Sequence, residues 1–233
     1  MSEKRVCIIQ ARMGSSRLPG KVLFDLAGMS MLERVVYRAY LASDYFDDLV
    51  VATGGTADND VIEDICVYNG WKCIRGSEAD VLNRYVHATS TMDAQHIIRI
   101  CADDPFTDPD LIVSCLNEYR FGNYDYVATE TLEHTFPTGL AVEVFSKTAL
   151  MRAFLYSDIE DREHVTPYIW RNKDQFKCKA ITNEKDLSHI RLTVDTLADY
   201  RNARRLYDKF GNYNFHWTDI VWEIERRPDD FIS

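Results

Sequence analysis

Runs of consecutive apolar residues alternate with stretches whose apolar positions recur every three or four residues, and this alternation holds through about residue 129. RVCIIQ is a short β-branched run that reads as a buried strand. SMLERVVYRAYLAS then opens with Ser30 and Glu33 at capping-box spacing and carries Leu32, Val35, Val36, Ala39 and Tyr40 at helical spacing. DLVVAT predicts the next strand and DNDVIEDICVYNG the next helix, with Gly70 placed to end it. WKCIRG, SEADVLNRYVHATS, QHIIRIC, DPDLIVSCLNEYRFG and YDYVAT continue the series. Strands and helices joined by short connections imply parallel strands with right-handed crossovers, an α/β sheet covered on both faces. Beyond that point the pattern loosens. TGLAVEVFS, FKCKAIT and IRLTVDT predict strands, SKTALMRAFLYS and DREHVTPYIW read as helical, and two helices follow.

The chain's 233 residues are within reach of one α/β domain, so a single domain over 1–233 is expected, without repeats, low-complexity tracts or linkers. Lysine and arginine number 27 against 37 acids, a net charge of −10, which leaves no general basic field for nucleic acid. A local cationic site for a small anion remains open. The six cysteines (Cys7, Cys66, Cys73, Cys101, Cys115, Cys178) are scattered without a CxxC pair, so neither a zinc knuckle nor a redox motif is indicated. MSEKRVCIIQ has too short an apolar run for a signal-peptide core, and no long uncharged apolar run follows. A soluble, reduced, cytoplasmic protein is the expectation, with no membrane partner.

Ligands of open α/β sheets bind beyond the carboxyl ends of the strands, and three polar clusters fall at such ends. QARMGSSRLPGK, residues 10–21, is neither a dinucleotide fingerprint nor a P-loop: five residues separate Gly14 from Gly20, and Val22 follows Lys21. Its chemistry is still that of a phosphate cradle. Gly14 admits backbone amides, Ser15 and Ser16 offer hydroxyls, and Arg12, Arg17 and Lys21 supply charge. A solvated surface loop is the plainer account, weakened by the position directly after a buried strand. In IIRICADDPFTDP, Asp108 reads as a helix N-cap before Pro109, whereas Asp103 would be redundant as a cap and suits Mg2+ beside a phosphate ligand. In IRLTVDTLADY, Asp195 stands open between a helix cap, the better account from that segment alone, and a second metal carboxylate. Arg162, Glu163 and His164 run consecutively before Pro167, which is placed to start a helix. For His164 a core position and a cleft position are both open.

Together IIQARMGSSRLPGKVL, VVAT, RGSEADVLNRY, IIRICADDPF, TGLAVEVFS, REHVTPYI and RLTVDT closely resemble the cytidylyltransferases of the spore-coat polysaccharide protein F type, relatives of the CMP-Kdo and CMP-sialic acid synthetases. The resemblance runs from about Val6 to Tyr200. It implies a nucleotide-diphospho-sugar transferase fold of the glycosyltransferase A type, a mixed, mainly parallel sheet with helices on both faces. It places CTP over residues of about 1–130 and the acceptor over about 131–233. It makes Arg12, Ser15, Arg17 and Lys21 triphosphate ligands and Asp103 and Asp195 the metal carboxylates, and puts Ala11, Gly14 and Ser16 in the same nucleotide loop. Thr53, Arg75, Ser77, Asp80 and Arg84 fall in segments that line the nucleotide, and Glu143, Arg162, Glu163 and His164 where the acceptor lies. Many members read GDCP where this chain has Ala102, Asp103, Asp104 and Pro105; Asp104 would either tune the metal site or face solvent. ETLEHTFP, residues 130–137, varies in length among members.

The activity so implied is Mg2+-dependent attack of an acceptor oxygen on the α-phosphorus of CTP, with Arg12, Lys21 and Asp103 as catalytic residues. The acceptor would be a small molecule, either a sugar acid or a phosphorylated compound, activated for surface polysaccharide or capsule biosynthesis. A glycosyltransferase of the same fold is a rival that has no need of Lys21 and Arg17, and a non-catalytic nucleotide-binding protein is another. A homodimer pairing through TGLAVEV is expected from the same resemblance.

Overall fold

A computed structural model describes residues 3–211 and 215–231. Strand β1 (Arg5–Gln10) leads into the glycine loop, and a small hairpin of β2 (Asp25–Leu26) and β3 (Met29–Ser30), not foreseen from the pattern, precedes helix α1 (Met31–Tyr40). The Ser30–Glu33 capping box opens α1 as expected. Then come β4 (Asp48–Gly54), α2 (Asp60–Asn69), β5 (Lys72–Gly76), α3 (Val81–Thr91), β6 (His96–Cys101), α4 (Pro109–Gly122) and β7 (Tyr126–Ala128). Gly70 ends α2 at φ 71°, the left-handed position where a Cβ is costly. The remaining elements are β8 (Glu143–Ser146), α5 (Lys147–Tyr156), α6 (Asp161–His164), α7 (Pro167–Arg171), β9 (Cys178–Ala180), α8 (Leu197–Phe210) and α9 (Trp217–Arg226).

The seven-stranded sheet has the order β5-β4-β1-β6-β8-β7-β9. All neighbours are parallel except those of β8, which runs antiparallel to β6 and β7. Because side chains alternate across a strand, Cys7 and Ile9 pack with α1, α4 and α8 on one face, while Val6 and Ile8 pack with α3 and α5 on the other. The expected mixed, mainly parallel sheet with helices on both faces is therefore present. Among the described residues no helix is long and apolar enough to cross a membrane.

The carboxyl-terminal half departs from the pattern in three places. TGLAVEVFS is strand only over Glu143–Ser146, because Gly139, at φ 102°, turns the chain hard against residues 192–193. A Cβ there would sit 2.3 Å from the Thr193 nitrogen, so only glycine fits. IRLTVDT forms no strand beyond a single bridge between Thr138 and Arg191, since the Thr138 carbonyl accepts from both Leu192 N and Thr193 N, at 2.7 and 3.1 Å. DREHVTPYIW splits into α6 and α7 at Val165, whose φ is 72°. In the TGLAVEV segment Leu140, Val142 and Val144 are buried in this chain's own core, while Thr138 and Ala141 are half-buried.

Asp108 caps α4 by accepting from Asp110 N at 2.9 Å, with Pro109 at the first turn as expected. It does more than cap. Its other oxygen accepts from Trp217 N at 2.9 Å and faces the buried Arg38 guanidinium at 3.5 Å, which ties α9 to α1 and α4. Asp108→Ala is expected to cost about 3–5 kcal/mol, the range for stranding a buried partner, with Asp108→Asn milder because it still accepts. Urea unfolding measures both, and equal losses would show that the charge, not the cap, dominates.

Candidate functional site

The glycine loop is fixed before any ligand arrives. Met13 N donates to Asn59 Oδ1 at 3.0 Å, and the Met13 carbonyl accepts from Ser15 N and Gly20 N. Gly20, at φ 72°, turns the chain so that Lys21 starts a short 3₁₀ turn and its side chain points back across the sheet edge. The Lys21 ammonium donates to Asp103 Oδ2 at 2.7 Å, to Asp195 Oδ1 at 2.9 Å and to the Val194 carbonyl at 2.7 Å. Asp103 stands just past the end of β6. Asp195 reaches it because Val194 N donates to the Asp103 carbonyl at 2.9 Å.

Asp195 is not the cap of α8. Thr196 takes that role in a capping box with Asp199, which leaves the Asp195 carboxylate for Lys21, for Arg17 at 2.8 Å and for Arg191 at 2.5 Å. Burial alone would push the Asp195 carboxyl up, but the hydrogen bond and charge of Lys21, joined by Arg17 and Arg191, hold it below its ordinary value. Burial likewise works against the Lys21 ammonium, yet Asp103 and Asp195 outweigh it and raise Lys21 above its ordinary value. Asp104 does not face solvent: it is buried, and its carboxyl is pushed well up, first by burial and then by the charge of Asp103.

These groups open onto a cavity of about 390 Å³ at the carboxyl ends of β1 and β6. Of the residues expected from sequence, Ala11, Arg12, Ser15, Ser16, Arg17, Lys21, Arg84, Asp103, Glu163, His164 and Asp195 line it. Arg12 reaches across to Glu163 at 3.0 Å, so the loop after β1 touches α6 over the cavity mouth.

The others lie elsewhere. A Cβ on Gly14 would meet nothing closer than Glu78, at 3.5 Å, so space does not demand glycine there. Thr53 is buried in β4 with an unpartnered hydroxyl. Arg75 turns away to Asp60 and Glu63 of α2. Ser77 accepts from Asp80 N, and Asp80 caps α3 and pairs with Arg162 at 2.7 Å, which joins α3 to α6. Glu143 is buried, bound to Arg99 and to the Tyr126 hydroxyl, and is not part of the cavity wall. Reading the chain missed Gln10, Val81, Arg99 and Cys101, all on the wall. An arginine inside the apolar strand HIIRIC, and a glutamine closing RVCIIQ, were the available signals.

The donor set suits a divalent cation. Two carboxylates from distant segments already share one cation, the Lys21 ammonium, and oxygen donors beside a cationic loop are what Mg2+ takes together with phosphate oxygens.

A family model described as cytidylyltransferase matches residues 6–217. The spore coat polysaccharide biosynthesis protein SpsF of Bacillus subtilis (strain 168) is 33% identical over 232 residues, 95% of this chain and 94% of that protein. The structure of a cytidylyltransferase from Leptospira borgpetersenii is similar at a TM-score of 0.92 and 29% identity, covering 97% of this chain and 96% of that one. That of a CMP:2-keto-3-deoxy-manno-octonic acid synthetase complexed with CTP has a TM-score of 0.65 at 20% identity, covering 89% and 99%, and shares the fold.

A depressed carboxyl stabilises the folded state above its unfolded value, and that stabilisation fades as pH falls through the folded value. Asp195→Asn is therefore expected to lower stability by about 1.5–3 kcal/mol at pH 7, the range for a hydrogen bond to a charged group. The gap between wild type and variant should close only as pH drops below the ordinary aspartate value of 3.8. Denaturant melts from pH 7 to pH 2 measure it, and a gap that closes above pH 5 would remove Asp195 from the ion cluster.

Proposed function

The chain belongs to the cytidylyltransferase family and is a nucleotidyltransferase, and from that premise we propose that it transfers CMP from CTP to a small anionic acceptor and releases pyrophosphate. The acceptor is a sugar acid or a phosphorylated small molecule, and the product is an activated precursor for surface polysaccharide or capsule, made in the cytoplasm. The observation that carries this reading is the meeting of Arg12, Arg17 and Lys21 with Asp103 and Asp195 in one cavity at the carboxyl ends of β1 and β6. A scaffold protein would have no reason to hold three cations and two carboxylates together there.

In this reading the amino-terminal half receives CTP. Ala11, Ser15, Ser16 and Arg17 hold the triphosphate through amides, hydroxyls and charge. An acceptor oxygen attacks the α-phosphorus in line; the new phosphorus–oxygen bond forms as the bond to the bridging oxygen of pyrophosphate breaks. Lys21 and Arg12 take up the charge on the departing pyrophosphate. Asp103 and Asp195 would hold Mg2+, which when bound offsets charge on the phosphate oxygens. Glu163 and His164 face the acceptor from α6, and Arg162 acts at one remove, by holding Asp80 and the start of α3. A homodimer pairing through the TGLAVEV segment belongs to the same proposal, and light scattering that gives only a 27.0 kDa species would remove it.

Pyrophosphate release with Mg2+ is expected with CTP and not with UTP, GTP or ATP, against a panel of sugar acids and phosphorylated small molecules. Lys21→Ala should lower turnover roughly 10²–10³-fold, by analogy with the loss of one preorganised transition-state donor. Near-normal turnover in that variant would sink the role of Lys21. Activity that survives a chelator would take the metal from Asp103 and Asp195, and CTP binding with no release under any acceptor would mark a nucleotide-binding protein without catalysis.

A further inference from the structure

Spacing along the chain pairs none of the six cysteines, but the fold brings two of them together. Cys66 lies in the second half of α2 and Cys73 on β5, the edge strand of the sheet. Gly70 ends the helix in the left-handed region, and Trp71 N donates back to the Cys66 carbonyl at 2.8 Å, so β5 starts beside the helix it follows. Side chains on β5 alternate: Ile74 packs with α3, whereas Cys73 packs into the opposite core, to which α2 contributes Ile62 and Cys66. There the two free thiols are hydrogen-bonded to each other.

The pair is asymmetric. Cys66 is wholly buried and Cys73 half-buried. The hydrogen bond from Cys66 holds the Cys73 thiol below its ordinary value against the effect of burial, and Arg75 adds a favourable charge. The same bond, together with burial, pushes Cys66 up. Burial also pushes up Cys7, Cys101, Cys115 and Cys178, so of the six cysteines Cys73 is the more readily ionised and reactive one. We infer that Cys66 and Cys73 are an oxidation site, which closes to a reversible intramolecular disulfide when the protein meets a peroxide. The Cys73 thiolate attacks the peroxide: a sulfur–oxygen bond forms, the oxygen–oxygen bond breaks, hydroxide leaves, and Cys73 becomes a sulfenic acid. The Cys66 sulfur then attacks the Cys73 sulfur. The disulfide bond forms as the sulfur–oxygen bond breaks, and the Cys66 proton leaves with that oxygen as water. Two thiols are oxidised and one peroxide is reduced, and a small dithiol reverses the change by exchange.

Without Cys66 the same chemistry would run on to a sulfinic acid. Its negative charge would sit beside Glu63 of α2, which already works against a thiolate at Cys73. Arg75, two positions further along the same face of β5, holds α2 through Asp60 and Glu63 and donates to the Gly54 and Thr56 carbonyls at 3.2 and 2.7 Å. The turn so held carries Asn59, whose Oδ1 accepts from Met13 N of the glycine loop at 3.0 Å. The disulfide therefore keeps α2 on β5, and with it the support of the glycine loop, while it stabilises the fold by constraining the unfolded chain.

The test treats the full chain, Cys66→Ser and Cys73→Ser with a low dose of hydrogen peroxide. Peptide mapping reads the state of each cysteine, and thermal melts read stability. In wild type the peptides of Cys66 and Cys73 should be joined and about 2 Da lighter than their sum, with the other four thiols still open to a maleimide. The melting temperature should rise by about 5 °C, and a dithiol should return both readings to their starting values. Oxidised Cys66→Ser should carry about 32 Da more on Cys73, the mass of a sulfinic acid, and melt lower than before treatment. Cys73→Ser should keep Cys66 as a thiol at the same dose. Should a serine variant fail to fold, the wild-type map and melt decide. A disulfide joining any other pair, six thiols still open to the maleimide, or a wild-type melt that falls on oxidation would each overturn the site.

Discussion

The structure turns on one ammonium group shared by two carboxylates from distant segments of the chain. Lys21 sits in a 3₁₀ turn after β1, Asp103 follows β6, and Asp195 lies in a loop far downstream. The Lys21 side chain is only 8% exposed, and desolvating a cation to that degree is tolerable only with the two acids in place. That requirement propagates outward. Asp195 is within reach because the Thr138 carbonyl accepts from Leu192 and Thr193, and that approach is possible because residue 139 has no Cβ. A glycine on the approach to β8 thus decides where a carboxylate 56 residues later can stand, a span given by the numbers 139 and 195.

Two further ion pairs close the same cavity from its other side. Arg12–Glu163 and Asp80–Arg162 both join the amino-terminal half to α6. The first is exposed and of little energetic consequence. The second is half-buried and sets the start of α3, the helix that carries Arg84 to the cavity wall. The mouth and the wall of the cavity are therefore set by two helices, α6 and α3, that pack together on one face of the sheet.

Apart from the β2–β3 hairpin, the first 129 residues were legible because each element reports itself locally: a β-branched run, a capping box, a terminating glycine. The phosphate-type loop and Asp103 were legible for the same reason, since both follow buried strands. Asp195 was half legible. Its segment reads as a strand ending in a cap, and neither feature forms, because distant backbone hydrogen bonds from Thr138 override local propensity and Thr196 takes the cap. Arg75 falls in a matching segment yet turns away from the cavity to Glu63, and Glu143 is held off the cavity wall by its pairing with Arg99, because strand register and such partners lie outside any short motif.

Gln10 and Arg99 show the converse, cavity-lining residues hidden in elements that read as core. The period-2 alternation that fills one sheet face with Val6 and Ile8 delivers Gln10 to that face at the strand's end, and the same rule brings Arg99 after Ile97. An interior strand tolerates an arginine only with an acid on the adjacent strand, and Glu143 stands opposite it in the β6–β8 register. The antiparallel insertion of β8 is what supplies that acid: a strand entering from the far end puts its first residue, Glu143, beside the last residues of β6. The reversal of β8 and the half-buried Arg99 on β6 are then two sides of the same solution, which sets a guanidinium at the cavity wall with its charge matched by Glu143.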